Sequence, residues 1–259
     1  MVYRRIAGGE SPLKYFAEIS AFLCGTDGVT AVIPAGVYVV GNDYTRGLQR
    51  SIHAGEFPFN PLPFTLLYPE KEIVAVLAIK NVKNATVIAD GVTLMLDGVM
   101  TPLEICDCEN VVVRGLTIDY VRKPYTKCLI EAADEGGYTV STKDDLYETS
   151  HVYRHCIFDK KRDRFDYGFV FRGIRKTGDG GFYLKGENAA ADNVGNPVYL
   201  CHIYNYRSAL YLWNVKGVAL EGITVRANEG EALIADHCDD IEIRRCAVEP
   251  SEGDDFSTN

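Results

Sequence analysis

Four segments of this chain superimpose on one another, and nothing else in the sequence limits the fold as tightly. They are Asn81 to Val87 (NVKNATV), Asp107 to Val113 (DCENVVV), Asn214 to Leu220 (NVKGVAL) and His237 to Ile243 (HCDDIEI). The first two start 26 residues apart and the last two 23. Each has a polar turn and then a strand with apolar residues at every second position. In three of them a second short strand follows at the same offset, at Leu116–Ile118, Ile223–Val225 and Cys246–Val248. Period-2 alternation pairs Val111 with Val113 and Leu116 with Ile118, as it does Val218 with Leu220 and Ile223 with Val225. Strands repeating every 20–30 or so residues, with turns and no helix between them, predict a parallel β-helix solenoid.

Composition agrees with sheet. Val and Ile together outnumber Leu by 42 to 19, and β-branched side chains favour pleated strands over helices. The chain is acidic, with 27 basic against 36 acidic residues and a net charge of −9. That balance repels phosphate backbones and argues against a nucleic-acid partner. No apolar run reaches the ~18 residues of a membrane span. The N-terminal stretch MVYRRIAGGESP has no apolar signal-peptide segment, so the chain as it stands reads as cytoplasmic, or as secreted or periplasmic if its N-terminus is incomplete. The eight cysteines are scattered, and Cys106-x-Cys108 lacks zinc spacing and a following His. They read as small buried thiols, with no metal and no cofactor implied.

Three parts follow along the chain. Residues 1–130 hold an N-terminal helix and the first repeats. Ser11 is placed to cap that helix, Pro12 suits its first position, and it runs to about Cys24. Residues 53–72, rich in Pro and aromatics, read as a loop. Residues 131–200 interrupt the repeat with alternating aromatics such as Tyr167-Gly-Phe169-Val-Phe171 and Gly-rich turns, which predict a small inserted antiparallel β subdomain. Residues 201–259 resume the repeat.

In order, several short motifs resemble the N-terminal part of glycoside hydrolase family 110, the α-1,3-galactosidases, and their β-helix relatives. These are Val32-Ile-Pro-Ala-Gly-Val-Tyr38, Val76 to Thr86, Gly98-Val-Met-Thr-Pro102 and Gly115-Leu-Thr-Ile-Asp-Tyr120. After the interruption come Val198 to His202, Val215 to Ile243, Val248-Glu-Pro250 and Ser257-Thr-Asn259. The resemblance implies a right-handed parallel β-helix with an inserted barrel. It also implies an inverting exo-glycosidase acting on terminal α-galactosides, in which one carboxylic acid protonates the leaving oxygen and a second carboxylate activates water. The family's catalytic carboxylates lie downstream of the Ser-Thr-Asn segment. The chain therefore reads as an N-terminal fragment, inactive alone, with its catalytic residues unassigned.

The residues present offer candidates for substrate binding. Asp119 follows a strand at a corner and aligns with Arg226 and Glu249, an alternation of charge that suits either a structural ladder or the floor of a cleft. Glu229 and Glu231 lie in the turn Asn228 to Glu231, which the resemblance places near the cleft. Asp119, Glu229 and Glu231 are all expected on the solvent side. His202, Tyr204, Tyr206, Tyr211 and Trp213 form an aromatic run that could stack on sugars or simply pack. His237 reads as a turn residue. Gly253-Asp254-Asp255 looks like a polygalacturonase pair but reads as a solvated acidic turn near the C-terminus. The expected partner is a glycan. A non-catalytic carbohydrate-binding or structural module is the alternative, because a fold does not fix a function. The oligomeric state is open.

Overall fold

The computed structural model describes residues 2–3, 11–56, 73–202, 208–228 and 231–251. It divides into two compact units. One holds residues 1–48, 60–123 and 205–259, and the other holds residues 49–59 and 124–204.

The first unit contains β1 (Val2–Tyr3), β2 (Thr30–Val32), β3 (Gly36–Gly41), β4 (Val74–Lys80), β5 (Thr86–Asp97) and β6 (Met100–Tyr120). The second holds seven strands: β7 (Tyr125–Asp134), β8 (Gly137–Ser141), β9 (Arg154–Asp159), β10 (Arg164–Asp166), β11 (Val170–Lys176), β12 (Phe182–Glu187) and β13 (Pro197–Cys201). The chain then returns to the first unit with β14 (Leu210–Val225), β15 (Leu233–Asp236), β16 (Asp239–Arg244) and β17 (Ala247–Val248).

The architecture corrects the expected solenoid. The described residues form one ten-stranded parallel sheet, ordered β1-β2-β5-β6-β14-β15 with β3, β4, β16 and β17 alongside, and one seven-stranded antiparallel sheet. A pectate-lyase-like right-handed β-helix would break each repeat into separate sheets around a closed coil. Here β6 and β14 pass through their bends as continuous strands of 21 and 16 residues within one sheet. The physical reason is that period-2 alternation and turn residues specify parallel pairing and register, and they do so equally for an open sheet and a closed coil.

The repeat is visible as that register. Val113, Leu220 and Ile243 lie in line across β6, β14 and β16, and Ile118, Val225 and Val248 do so further on. Left-handed backbone positions set the bends. Asn81, Asp107, Asn214 and His237 have φ of 57°, 54°, 50° and 52°, and three residues later Asn84, Asn110, Gly217 and Asp240 repeat the conformation. Asn, Asp and Gly enter this region at the lowest cost. Asn110 Nδ2 donates to Asn84 Oδ1 at 3.1 Å and Asn214 Nδ2 to Asp107 Oδ1 at 2.7 Å, so stacked turns are joined by side chains as well as strands.

A third line of bends runs through Gly91, Gly115, Gly222 and Arg245. At Gly115 a Cβ would sit 2.7 Å from the Asp90 Cα, so close approach as well as φ requires glycine. Beside it a charge ladder crosses the sheet. Asp90 pairs with Arg114 at 2.5 Å, Glu221 lies opposite Arg114, and Arg244 reaches Glu221 at 3.1 Å. The alternation expected at Asp119, Arg226 and Glu249 is only partial: Arg226 and Glu249 approach at 3.7 Å, and Asp119 bonds elsewhere.

Helix α1 (Pro12–Leu23) packs on β4 and β3. Ser11 sits at its N-cap position without a side-chain cap bond, contrary to expectation. The helix buries Tyr15, Phe16 and Leu23, with the Tyr15 ring stacked on Tyr38 at 6.1 Å. Ser20 Oγ accepts the Ala78 N–H at 2.9 Å, so the helix also satisfies a strand amide. A second helix, α2 (Asp43–His53), was not foreseen. It starts with a reciprocal cap, in which Thr45 N–H donates to Asn42 Oδ1 and Asn42 N–H to Thr45 Oγ1, both at 2.9 Å.

The antiparallel unit begins at Pro124, earlier than the expected 131, and also takes in residues 49–59. Its core includes Tyr138, Ile157, Phe169, Leu184, Val198 and Leu200. His202 is buried here, between Thr126 Oγ1 at 2.7 Å and the His151 carbonyl at 2.8 Å, with the His53 ring centroid 4.8 Å away.

Three carboxylates tie the turns of this unit and are held below the ordinary 3.8. Arg162 lowers Asp159, the Tyr183 hydroxyl lowers Asp134, and the Asn193 amide lowers Asp166. A depressed folded pKa contributes stability above the unfolded value that is lost as pH falls through the folded one. Asp159→Asn should therefore destabilise the protein at neutral pH, and its difference from wild type should shrink as pH falls below 3.8; urea unfolding against pH measures this. Among the described strands β16 and β17 pair with β14 alone, so hydrogen exchange in dilute solution should be faster at Ile241–Val248 than at Val111–Ile118. Equal protection would contradict the exposure of this edge.

Candidate functional site

The sequence-derived candidates fall at both ends of one short parallel pair. Leu210–Trp213 of β14 lies in register with Leu233–Asp236, which is the whole of β15. Asn228 and Glu231 precede β15, and His237 follows it.

At the first end, Asp119 does not face solvent as expected. It is only 7% exposed, and its Oδ1 accepts the Tyr120 N–H and the Ser251 hydroxyl, each at 2.8 Å. Strand parity does aim it outward with Met95, its register partner, but Ser251 covers it. The next groups are tied together: the Tyr120 hydroxyl meets Asn228 Oδ1 at 3.5 Å, and Asn228 Nδ2 donates to the Glu231 carbonyl at 2.6 Å. That carbonyl also accepts Ala209 N–H at 3.1 Å. Asp119, Asn228 and the Glu231 backbone thus belong to one hydrogen-bonded corner. Glu229 lies outside the described residues, as do Tyr204, Tyr206 and Gly253-Asp254-Asp255.

At the second end, alternation along β14 turns Tyr211 and Trp213 away from Leu210 and Leu212, which are buried. Trp213 is 37% exposed, and its ring centroid lies 4.8 Å from that of His237 at an interplanar angle of 45°. His237 Nδ1 lies 2.8 Å from Asp236 Oδ1, and Asp236 is the register partner of Trp213. Across the other edge of β14, Trp213 is level with Cys106 and, one strand further, Lys80. Lys80 pairs with Glu104 at 2.9 Å. Burial works against the Lys80 charge, but Glu104 outweighs it and holds the ammonium above its ordinary value. Burial, with Glu104 alongside, pushes the Cys106 thiol up to about 12. Cys106 therefore stays protonated at neutral pH and is no nucleophile.

The turn column that follows Trp213 along β14 forms a groove of about 550 Å³ whose lining includes Asp107, Asn214, Lys216, His237 and Asp239. Trp213 does not line this groove, but His237, which does, contacts the indole, so an exposed aromatic ring stands beside a row of amides, carboxylates and an ammonium.

The aromatic run is thus split. His202 is buried with both ring nitrogens in contact, so it is no part of an exposed wall, whereas Trp213 is. The role of His237 beside Trp213 was missed, although the repeat contained the signal. Aligning His237 with Asn214 places Asp236 level with Trp213. Among the described residues no group of His, Cys, Asp and Glu is arranged to hold a metal ion, and no helix is long and apolar enough to cross a membrane.

The Asp119 corner makes a stability prediction. Asp119→Ala strands the Ser251 hydroxyl and the Tyr120 N–H, and should cost about 1–3 kcal/mol in denaturant unfolding. A variant of wild-type stability would show that the carboxylate does not hold this corner.

No protein-family model matches this chain, and no curated protein matches it.

Proposed function

We propose that this protein is carbohydrate-active and engages terminal galactosides of glycans along the β14–β15 face. The observation that carries this reading is the exposed Trp213 indole, set against His237 at the margin of a groove lined by Asp107, Asn214, Lys216 and Asp239. A galactose ring presents a patch of C–H bonds on one face and hydroxyls around its rim. The indole takes the first, while carboxylates and amides take the second. The pair of four-residue strands between the Asn228–Glu231 turn and His237 spans roughly 13 Å at ~3.3 Å per residue, the scale of a short oligosaccharide.

The resemblance to family 110 in the order of the motifs gives the sugar class and the inverting chemistry of the reading. Hydrolysis needs an acid and a base on opposite sides of the glycosidic bond. Asp119 is a poor choice for either, because its carboxylate already accepts two protein hydrogen bonds. In this reading it braces the corner that carries Glu231.

The test is titration of the protein with α-galactosyl-terminated oligosaccharides, followed by calorimetry or tryptophan fluorescence. Wild type should bind, Trp213→Ala should weaken binding about tenfold, and Trp213→Phe should recover part of the loss. A wild-type protein that binds no galactoside-terminated glycan would overturn the proposal.

A further inference from the structure

A second groove opens where the bends of the parallel sheet carry no side chains. It holds about 450 Å³, and its lining includes Asp90 of β5, Arg114, Gly115 and Thr117 of β6, Gly222 of β14, and Arg245, which follows β16. From β5 to β16 is three strand spacings, roughly 14 Å at ~4.8 Å each. That is the size of a small-ligand site.

The space lies between the bends of β6 and β14. Gly222 is level with Gly115, since Glu221 pairs with Arg114 and Ile223 with Leu116. A Cβ at Gly91 would lie 3.1 Å from the Ala35 side chain and one at Gly115 would lie 2.7 Å from the Asp90 Cα, so those bends close on the bend before them. A Cβ at Gly222 would meet nothing within 4 Å. Charge accounts for the gap. Asp90 draws Arg114 toward β5 and away from Gly222, taking its Nε at 3.2 Å and its Nη2 at 2.5 Å.

The walls suit an acidic polyol. Asp90 occupies one edge of the Arg114 guanidinium and leaves the other N–H groups as donors. Arg245 meets Glu221 at 3.6 Å, longer than a hydrogen bond, while Glu221 holds Arg244 at 3.1 Å. The Arg245 side chain is 76% exposed. Two guanidinium groups against one carboxylate make this lining positive in a chain of net charge −9. A guanidinium fork recognises a carboxylate. The Asp90–Arg114 pair and the Thr117 hydroxyl offer acceptors and donors to ligand hydroxyls, and the bare glycine floor lets a ring approach the backbone closely.

We propose that this groove binds an oligosaccharide bearing a carboxylate, with the carboxylate on Arg245 and the neighbouring hydroxyls on Thr117 and the Asp90–Arg114 pair. It shares no residue with the groove that His237 lines, so it does not depend on the galactoside reading.

Calorimetric titration tests it with two probes: an oligosaccharide ending in glucuronate, and the same oligosaccharide ending in glucose. The pair differ only by a carboxylate in place of CH2OH. Wild type should bind the acidic probe roughly tenfold or more tighter than the neutral one. Arg245→Asn should remove that preference. Asn tolerates the φ of 52° at this position, so the bend is kept. Gly222→Asn should block the acidic probe. Asn also tolerates φ of 60°, and its side chain enters open space, so thermal unfolding should match wild type. A wild type that does not bind the acidic probe, or that binds both probes equally, would sink the idea. So would a folded Gly222→Asn or Arg245→Asn variant that keeps wild-type affinity for the acidic probe.

Discussion

The parallel ladder between β6 and β14 is the interaction on which the first unit depends. It runs from Leu103 opposite Leu210 to Ile118 opposite Val225. The two strands are far apart in sequence, with residues 124–204 of the antiparallel unit between them. Closing that loop costs chain entropy, but the cost grows only slowly with length. Burial of Leu103, Ile105, Val111, Val113, Leu116 and Ile118 against their β14 counterparts offsets it. At ~25 cal/mol per Å² of apolar surface, such side chains each contribute about 1.5–3 kcal/mol. The ladder positions every candidate residue, because Trp213 and the Asn228–Glu231 turn take their places from β14 and its neighbour β15.

Turn chemistry keeps that ladder in register. A one-residue slip would send Val218 and Leu220 to the surface and Lys216 and Ala219 inward. The left-handed residues at Asp107, Asn110 and Gly115 recur at Asn214, Gly217 and Gly222, so each bend meets a bend. The ion pairs Asp90–Arg114 and Glu221–Arg244 add register specificity more than stability, since exposed pairs are worth about 0–1 kcal/mol. The same regularity shapes the outer surface. Each turn presents a short polar side chain, and stacked turns make a groove rather than isolated contacts.

Repetition generates long lateral surfaces, and the Trp213 surface is one of them. Ile243 in β16 is exposed where its register partners Val113 and Leu220 are buried, with no change in chemical character. Ile243 has the sequence of a core residue and the surroundings of a surface one.

The sequence by itself determined the strands, their register and the turns, because these depend on alternation and on residues tolerant of positive φ. Asn214 aligned with Asp107 before any coordinates did. It also marked α1 and the interruption between Ile130 and Leu200. Only the tertiary structure decided how the strands close, because parity does not distinguish an open parallel sheet from a solenoid coil. Helix α2 escaped for a related reason: its apolar positions are few, and Thr45, which caps it with Asn42, also donates to the Asp97 carbonyl, a contact distant in sequence. Asp119 shows the limit most plainly. Parity aimed it at solvent, and Ser251, 132 residues further on, covered it. Trp213 and His237 were legible as an aromatic and a turn residue, but their ring contact required two strands to lie side by side.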